Sequence, residues 1–402
     1  MWQDRGGFLA RAVHFRFAVL SDPHVTLPET LVDYPGRAHL YELSQAALQA
    51  VLADLRTCAI DFLLIPGDLT QNSERANHLW LRSELAAQPF PSYVIPGNHD
   101  TVRIESTPEV LGQADFAHFW QDFGYGDFGY GDSDHGDYAI EILPGVRLLG
   151  LDSNRIDGHR VVGALSARQL TWVAAQLSAH PDAQWLVMVH HNLLEHLPFQ
   201  RSHPLLADYI LPDEELARLL ERHGVRFVFT GHLHIQDIAR SGDLYDITTG
   251  SLVSYPHPYR LCTWLDGALH IETRRLRSLP GWPDLDATSR AHMTRGSDRY
   301  MMRLLSHPPL SLSHHEASRY APRLREFWAT IAAGDARFHF PDLPPALQAF
   351  FEGFNDRPPA DNDAVLGAAE PSYAEITDAE ITDPEITDPE ITEPIEEGDR
   401  CP

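Results

Sequence analysis

Five short apolar runs in this chain each end on a residue able to bind a metal or move a proton. Phe17-Ala-Val-Leu20 leads into Asp22-Pro-His24, Phe62-Leu-Leu-Ile65 into Gly67-Asp68, and Tyr93-Val-Ile95 into Gly97-Asn98-His99-Asp100. Trp185-Leu-Val-Met-Val189 leads into His190-His191, and Val225-Arg-Phe-Val-Phe-Thr230 into Gly231-His232-Leu-His234. Apolar runs of this length without polar alternation predict strands buried on both faces. Helical periodicity falls between them, over 41–57, 74–88, 167–179 and 214–222, with Ser166 and Asp213 at N-cap positions. Strands alternating with helices imply a layered α/β architecture, in which ligands gather beyond the carboxyl ends of strands. All five polar clusters occupy that place.

The clusters offer Asp22, His24, Asp68, Asn98, His190, His232 and His234 as ligands, with His99 beside them. Imidazole and oxygen donors without cysteine suit Mn, Fe or Zn rather than Ca or an iron–sulfur cluster. Seven ligands are too many for one metal that keeps an open position, and they fit two if one carboxylate bridges. A metal pair roughly 3.5–4 Å apart is the usual device for splitting phosphate esters.

The ordered blocks Asp-x-His, Gly-Asp, Gly-Asn-His-Asp, His and Gly-His-x-His resemble the calcineurin-like metallophosphoesterase superfamily over about 15–277. The resemblance implies an α/β/β/α sandwich and a metal-dependent phosphoester hydrolase with two metal ions. It places Asp22, His24 and His234 on the first metal, Asn98, His190 and His232 on the second, and Asp68 across both. His99 is then the catalytic residue that protonates the leaving oxygen or stabilises the transition state. His190 is chosen over His191 because it directly follows its strand. His191, Asn192 and Asp100 are candidates for substrate contact, Asp100 serving either to orient His99 or to cap the next segment. Many relatives carry Pro where Asn192 stands, which leaves the shape of the loop to Pro204 open. His196 and His203 in that loop are read as solvated.

Leu151-Asp-Ser-Asn154, Gly163-Ala-Leu-Ser166, Gln169-Leu-Thr-Trp172, Leu177 and Gly250-Ser251 resemble the class III cyclic-nucleotide phosphodiesterase branch. That branch implies hydrolysis of 3′,5′- or 2′,3′-cyclic nucleotides or similar small diesters by metal-hydroxide attack. The rival readings are a phosphomonoesterase or nucleotide-linked pyrophosphatase of the same fold, a nuclease, and a non-catalytic binding scaffold. Retention of every ligand and of His99 argues against the scaffold.

The net charge of −26 includes −11 from Glu370 to Pro402, where twelve acidic residues face one Arg. The other residues, at −15, still disfavour long nucleic acids, because that binding relies on basic surface. No run of about 18 uncharged apolar residues predicts a membrane span, and Met1–Phe8 lacks a signal-peptide core, so the expected compartment is the cytoplasm. Cys58 and Cys262 read as buried thiols. The tandem Phe123–Asp127 and Phe128–Asp132 reads as a surface loop, or as a lid whose Tyr125 or Tyr130 stacks on a base. Residues 1–14 are an N-terminal extension. Residues 278–356 form a helical appendage that packs on the core, caps the site or mediates a homodimer. From 357 the chain turns polar and Pro-rich, and four Glu-Ile-Thr repeats predict a disordered acidic tail without a catalytic role.

Overall fold

The computed structural model describes residues 14–32, 37, 39–126 and 136–367. Its strands are β1 (Phe15–Val19), β2 (Phe62–Ile65), β3 (Ser92–Val94), β4 (Tyr138–Leu143), β5 (Val146–Leu151), β6 (Asn154–Asp157), β7 (Arg160–Gly163), β8 (Gln184–Val189), β9 (Phe227–Thr230), β10 (Asp237–Ser241), β11 (Leu244–Thr248), β12 (Pro258–Leu265), β13 (Ala268–Arg275) and β14 (Ala364–Leu366). The helices are α1 (Ser44–Leu55), α2 (Arg75–Ala86), α3 (Gln113–Phe119), α4 (Ala167–Ala179), α5 (Glu215–Arg222), α6 (Leu285–Ser306), α7 (His314–Tyr320), α8 (Phe327–Ala333) and α9 (Pro345–Glu352). Two six-stranded sheets have the orders β14-β13-β12-β1-β2-β3 and β10-β11-β9-β8-β5-β4, and β6 with β7 makes a separate hairpin.

The sheets stack face to face. Phe17 of β1 meets Phe229 of β9 edge to face at 5.5 Å. In β8, Leu186 and Met188 enter the core between the sheets, whereas Trp185, Val187 and Val189 enter another beneath α4 and α5. Both strand faces are therefore dry, which is why these runs lack polar alternation. Helices α1 and α2 bring Leu48, Val51, Leu52, Leu81 and Leu85 to the first core, completing α/β/β/α layering. Ser166 caps α4 in a full capping box with Gln169, a motif whose cap alone contributes about 1 kcal/mol.

β1, β2 and β3 run parallel, as do β5, β8 and β9. The loops leaving them continue that alignment: Asp22 N donates to Gly67 O at 3.3 Å, His24 N to Asp68 O at 3.0 Å, and Gly231 N to His190 O at 3.1 Å. The five sequence clusters are thus laid side by side at one edge of the sandwich.

Helices α6–α9 surround their own apolar cluster, including Met301, Leu304, Leu305, Phe327, Ile331 and Phe351. That cluster incorporates Leu197, Leu206, Leu233 and Ile235 from loops of the sandwich. No helix among the described residues is long and apolar enough to cross a membrane.

Two expectations are corrected. The polar segment from 357 does not leave the fold at once. β14 pairs antiparallel with β13, Leu366 is buried, and Arg260 Nη1 donates to the Asp361 carbonyl at 2.6 Å. An apolar Ala-Val-Leu triplet is enough to extend a sheet whose edge was open. The Glu-Ile-Thr repeats lie outside the described residues, as do the second Phe-Gly-Tyr-Gly-Asp copy and nearly all of 1–14. In the first copy, Phe123 and Tyr125 are buried, and the Tyr125 ring packs on Tyr138 at 4.8 Å. Gly124 (φ 126°) and Gly126 (φ 57°) turn the chain so that Tyr125 points into the core. Cys58 and Cys262 are buried free thiols.

Candidate metal centre

Backbone strain marks the site. Asp22, His24, Asp68, His232 and His234 all have positive φ, between 40° and 64°. Non-glycine residues seldom adopt that conformation, and each costs of order 1–3 kcal/mol unless the surroundings enforce it. Here the tight turns after β1, β2 and β9 aim side chains back across the strand ends. Glycines make the approach possible: a Cβ on Gly67 would lie 2.4 Å from His190 Nδ1, and one on Gly97 would lie 2.2 Å from Asp68 N.

Two donor groups converge and share one carboxylate. Asp22, His24, Asp68 and His234 can bring ligand atoms within 4.8 Å of one another, as can Asp68, His190 and His232. In the first, His24 Nε2 lies 3.3 Å from His234 Nε2 and 3.6 Å from Asp68 Oδ2, and His234 Nε2 lies 3.0 Å from Asp22 Oδ1. In the second, His190 Nε2 lies 3.4 Å from Asp68 Oδ1 and 3.1 Å from Asn98 Oδ1. The remaining ring nitrogens assign the tautomers. His190 Nδ1 donates to the Pro66 carbonyl at 2.9 Å, which leaves the Nε2 lone pair for the cleft. His232 Nε2 donates to the Asp208 carbonyl at 3.2 Å, which leaves Nδ1. His99 Nδ1 donates to the Gln71 carbonyl at 2.6 Å, so its Nε2 is the atom available to a substrate.

Lone pairs and carboxylate oxygens crowded together in a buried volume repel unless a cation sits among them. The titration behaviour reflects this. Burial acts to raise the Asp68 carboxyl, but His190 and His99 outweigh it and hold it well below the usual range. Burial acts to lower His190, but Asp68 lifts it to about 9. Burial lowers His24 and His232 well below the ordinary histidine value, against the pull of Asp68. The donor set, all nitrogen and oxygen with neutral imidazoles favoured at His24 and His232, fits two divalent or trivalent ions.

Comparison with known proteins bears on the same segment. The family described as Calcineurin-like phosphoesterase matches residues 15–236, more than half of the 402. The chain belongs to this calcineurin-like phosphoesterase family. It is 28% identical over 179 residues to a probable glycerophosphodiester phosphodiesterase of Arcobacter nitrofigilis, covering 43% of this chain and 56% of that protein. It is 27% identical over 213 residues to a probable cyclic nucleotide phosphodiesterase of a Synechococcus strain, covering 49% of this chain and 70% of that one. Among solved structures, a dimetal phosphatase from Danio rerio superposes with a TM-score of 0.50 at 16% identity, over 65% of this chain and 96% of that one. This likeness establishes the fold. The family is known for a dinuclear metal centre, and the two donor groups stand where its sequence blocks end.

Within this candidate site of the calcineurin-like phosphoesterase, the three residues expected to touch substrate are buried. Asp100 is fully buried and accepts from Leu69 N (2.8 Å), Thr70 N (2.8 Å), Gly97 N (3.0 Å) and Thr70 Oγ1 (2.9 Å). It rivets the loop after β2 to the loop after β3 and touches neither His99 nor the cleft. Its carboxyl rises to about 7 through burial and the charge of Asp68. Asn192 is equally enclosed, donating to Thr230 Oγ1 at 3.0 Å and accepting from Gln200 Nε2 at 3.2 Å. His191 packs behind the metal ligands, its ring 4.5 Å from that of His232 and its Nδ1 2.8 Å from Ser153 Oγ. Burial, then the neighbouring His190, pushes His191 down to about 3.

His196 and His203, read as solvated, are buried. His196 is clamped between Asp237 (2.6 Å) and Asp246 (3.2 Å), and His203 Nδ1 accepts from Leu205 N at 3.2 Å. Two site neighbours carry no motif at all. His39 packs its ring 4.6 Å from His234 and 5.7 Å from His24, with Nδ1 bonded to Ser254 Oγ. Tyr209 packs 5.0 Å from His232, and burial pushes its hydroxyl up to about 12. Neither sits at a strand end, so no strand-end pattern could have found them.

Proposed function

We propose that this protein is a two-metal phosphodiesterase acting on small phosphodiesters such as cyclic nucleotides or glycerophosphodiesters. The observation that carries the proposal is the single carboxylate of Asp68 common to both donor groups. Asp22, His24 and His234 would hold one ion and Asn98, His190 and His232 the other, with Asp68 available to both. Bound there, the ions supply Lewis acidity toward phosphoryl oxygens and make water nucleophilic at neutral pH.

The rest of the chemistry belongs to the chain. Pro66 and Asp208 carbonyls fix the ring orientations of His190 and His232. The Gln71 carbonyl holds His99 through Nδ1–H, and the imidazolium form of His99 gives its Nε2 proton to the departing alkoxide, leaving the neutral ring. His99 N also donates to Asp68 Oδ1 at 2.9 Å, so the acid and the bridging carboxylate are positioned by one turn. The similarity to two proteins named as probable phosphodiesterases supports a diester over a monoester.

The test is hydrolysis of bis-p-nitrophenyl phosphate, p-nitrophenyl phosphate and cyclic nucleotides after metal stripping and reloading with Mn, Fe or Zn. Diester cleavage that returns only with metal supports the reading. Full turnover in the stripped sample sinks the two-metal assignment, and a preference for the monoester replaces phosphodiesterase with phosphomonoesterase.

A further inference from the structure

The two donor groups orient their histidines by different means. His190 and His232 each anchor a second ring nitrogen on a backbone carbonyl, of Pro66 and Asp208, which is the usual support of a metal-bound imidazole. His24 and His234 lack that support. His24 Nδ1 is enclosed without a hydrogen-bond partner, and the hydrogen bonds of His234 among the described residues all run through Nε2. Ring packing takes their place. His39 lies 4.6 Å from His234 at an interplanar angle of 72°, and 5.7 Å from His24 at 14°. Tyr41 and His99 pack on His24. Among the described residues, His39 is the only ring outside the donor groups that packs on both histidines.

His39 is itself fixed. Its Nδ1 is bonded to the hydroxyl of Ser254, which is buried and has no other side-chain partner among the described residues. A buried hydroxyl that donates to nothing is costly, so Ser254 donates and the ring proton of His39 stays on Nε2. With Nδ1 accepting and Nε2 protonated, the ring offers no lone pair to a metal, which agrees with its place outside both donor groups. The loop of Ser254 is tied to the turn of Asp22: Ser251 Oγ donates to the Asp22 carbonyl at 2.8 Å and Leu252 N to the Ser21 carbonyl at 3.1 Å. Leu40 N donates to the Val253 carbonyl at 2.9 Å, and His292 Nε2 of α6 to the Arg37 carbonyl at 2.8 Å. The His39 ring is thereby held in register with the same turn that carries the first donor group.

We propose that His39 is a positioning residue for the first ion, holding the rings of His24 and His234 by packing where carbonyls hold the histidines of the second. This rests on the two-metal reading. Its consequence is that the ions can be weakened separately. Loss of the His39–Ser254 support loosens the ion of Asp22, His24 and His234 and spares that of Asn98, His190 and His232.

The test is stepwise titration of the metal-stripped full chain with Mn, followed by calorimetry, beside side-chain spectra of the metal-free protein labelled with 15N-histidine. The His39→Ala variant should bind one of two ions about 10- to 100-fold more weakly and the other within about two-fold of wild type. His39→Phe, which keeps a ring against His234, should recover part of the loss, and Ser254→Ala, which leaves the ring but removes its anchor, should fall between wild type and His39→Ala. In the spectra, His39→Ala should move the signals of His24 and His234 and leave those of His190 and His232 in place. Equal weakening of both ions, weakening of neither, or a His39→Phe variant no better than His39→Ala overturns the inference and leaves the two-metal reading standing. A wild type that takes up fewer than two ions removes that reading instead. The spectra then decide alone: selective movement of His24 and His234 upholds the positioning role, and unchanged signals refute it. Melting curves of the metal-free variants check the fold, and if His39→Ala does not fold, Ser254→Ala carries the same comparison.

Discussion

Replacing Gly97 by Ala should separate the site's geometry from its ligands, because the substitution removes no donor. The new Cβ would lie 2.2 Å from Asp68 N and 2.1 Å from Asp68 Oδ1. The carboxylate could rotate, but the backbone nitrogen cannot. Ordinary contact begins near 3.4 Å, so the two turns must part by 3.4 minus 2.2, or 1.2 Å. The Asp100 carboxylate bonds amides of both turns, so that separation stretches the bonds to Leu69, Thr70 and Gly97. Overpacking of this kind costs typically 1–3 kcal/mol, so we expect melting to fall by about that equivalent. The larger effect is on function. Asn98 and His99 ride on the displaced turn, and a misplacement of about 1 Å can cost on the order of 10²-fold in rate. The assay is metal stoichiometry, metal titration and diester turnover on the purified Gly97→Ala protein beside a thermal melt. Wild-type metal affinity together with wild-type turnover would refute the argument that this glycine exists to let two ligand-bearing turns touch.

Four further outcomes are expected. Asp68→Ala should lower metal content at both positions and abolish metal-dependent hydrolysis. His99→Ala should keep both metals but lose on the order of 10²–10⁴ in turnover, and elemental analysis beside kinetics distinguishes the two. His196 is lifted to about 10, burial opposing and Asp246 with Asp237 overcoming it. Its folded value exceeds the unfolded one, so its stabilisation is complete below pH about 6.5 and is lost as pH rises through about 10. Urea midpoints across that window should fall more steeply for the wild type than for His196→Gln, and parallel profiles would exclude the ion pair as the source. Gly296 in α6 has open space around its would-be Cβ, so Gly296→Ala should raise the melting free energy by about 0.5–1 kcal/mol; a destabilised variant would contradict that placement.

The strand ends were readable because two constraints act there together. A strand buried on both faces demands an uninterrupted apolar run, and catalysis at its end demands an abrupt polar residue. Their junction is visible at Val189–His190 and Thr230–Gly231 without any structure. Asp100 shows where that logic stops. It adjoins His99 in sequence, yet its carboxylate turns away to collect amide hydrogens from Leu69, Thr70 and Gly97. Only the approach of two turns distant in sequence decides that direction. His196 misled for a similar reason, since its partners Asp237 and Asp246 lie some 40 and 50 residues on. The positive φ at five of the seven proposed ligands was equally hidden. Sequence preferences point to glycine or asparagine for that conformation, and aspartate and histidine hold it here because tertiary contacts leave no alternative.

The appendage belongs energetically to the metal centre, although the chain segments are separate. Leu233 is the variable residue of Gly-His-x-His, flanked by two proposed ligands, and it is 9% exposed. It belongs to one buried cluster with apolar residues of α6, α8 and α9 and with Leu197, Leu206 and Ile235 from neighbouring loops. Burying four such side chains is worth at most roughly 6–12 kcal/mol by area. Part of that energy offsets the strained turns at His232 and His234, both of which must hold positive φ to aim their rings. A sandwich cut off before α6 would expose these leucines beside the cleft and release the very loop that carries two proposed ligands. The helices therefore support the ligand-bearing loop from behind. A substitution in their core should therefore alter metal affinity.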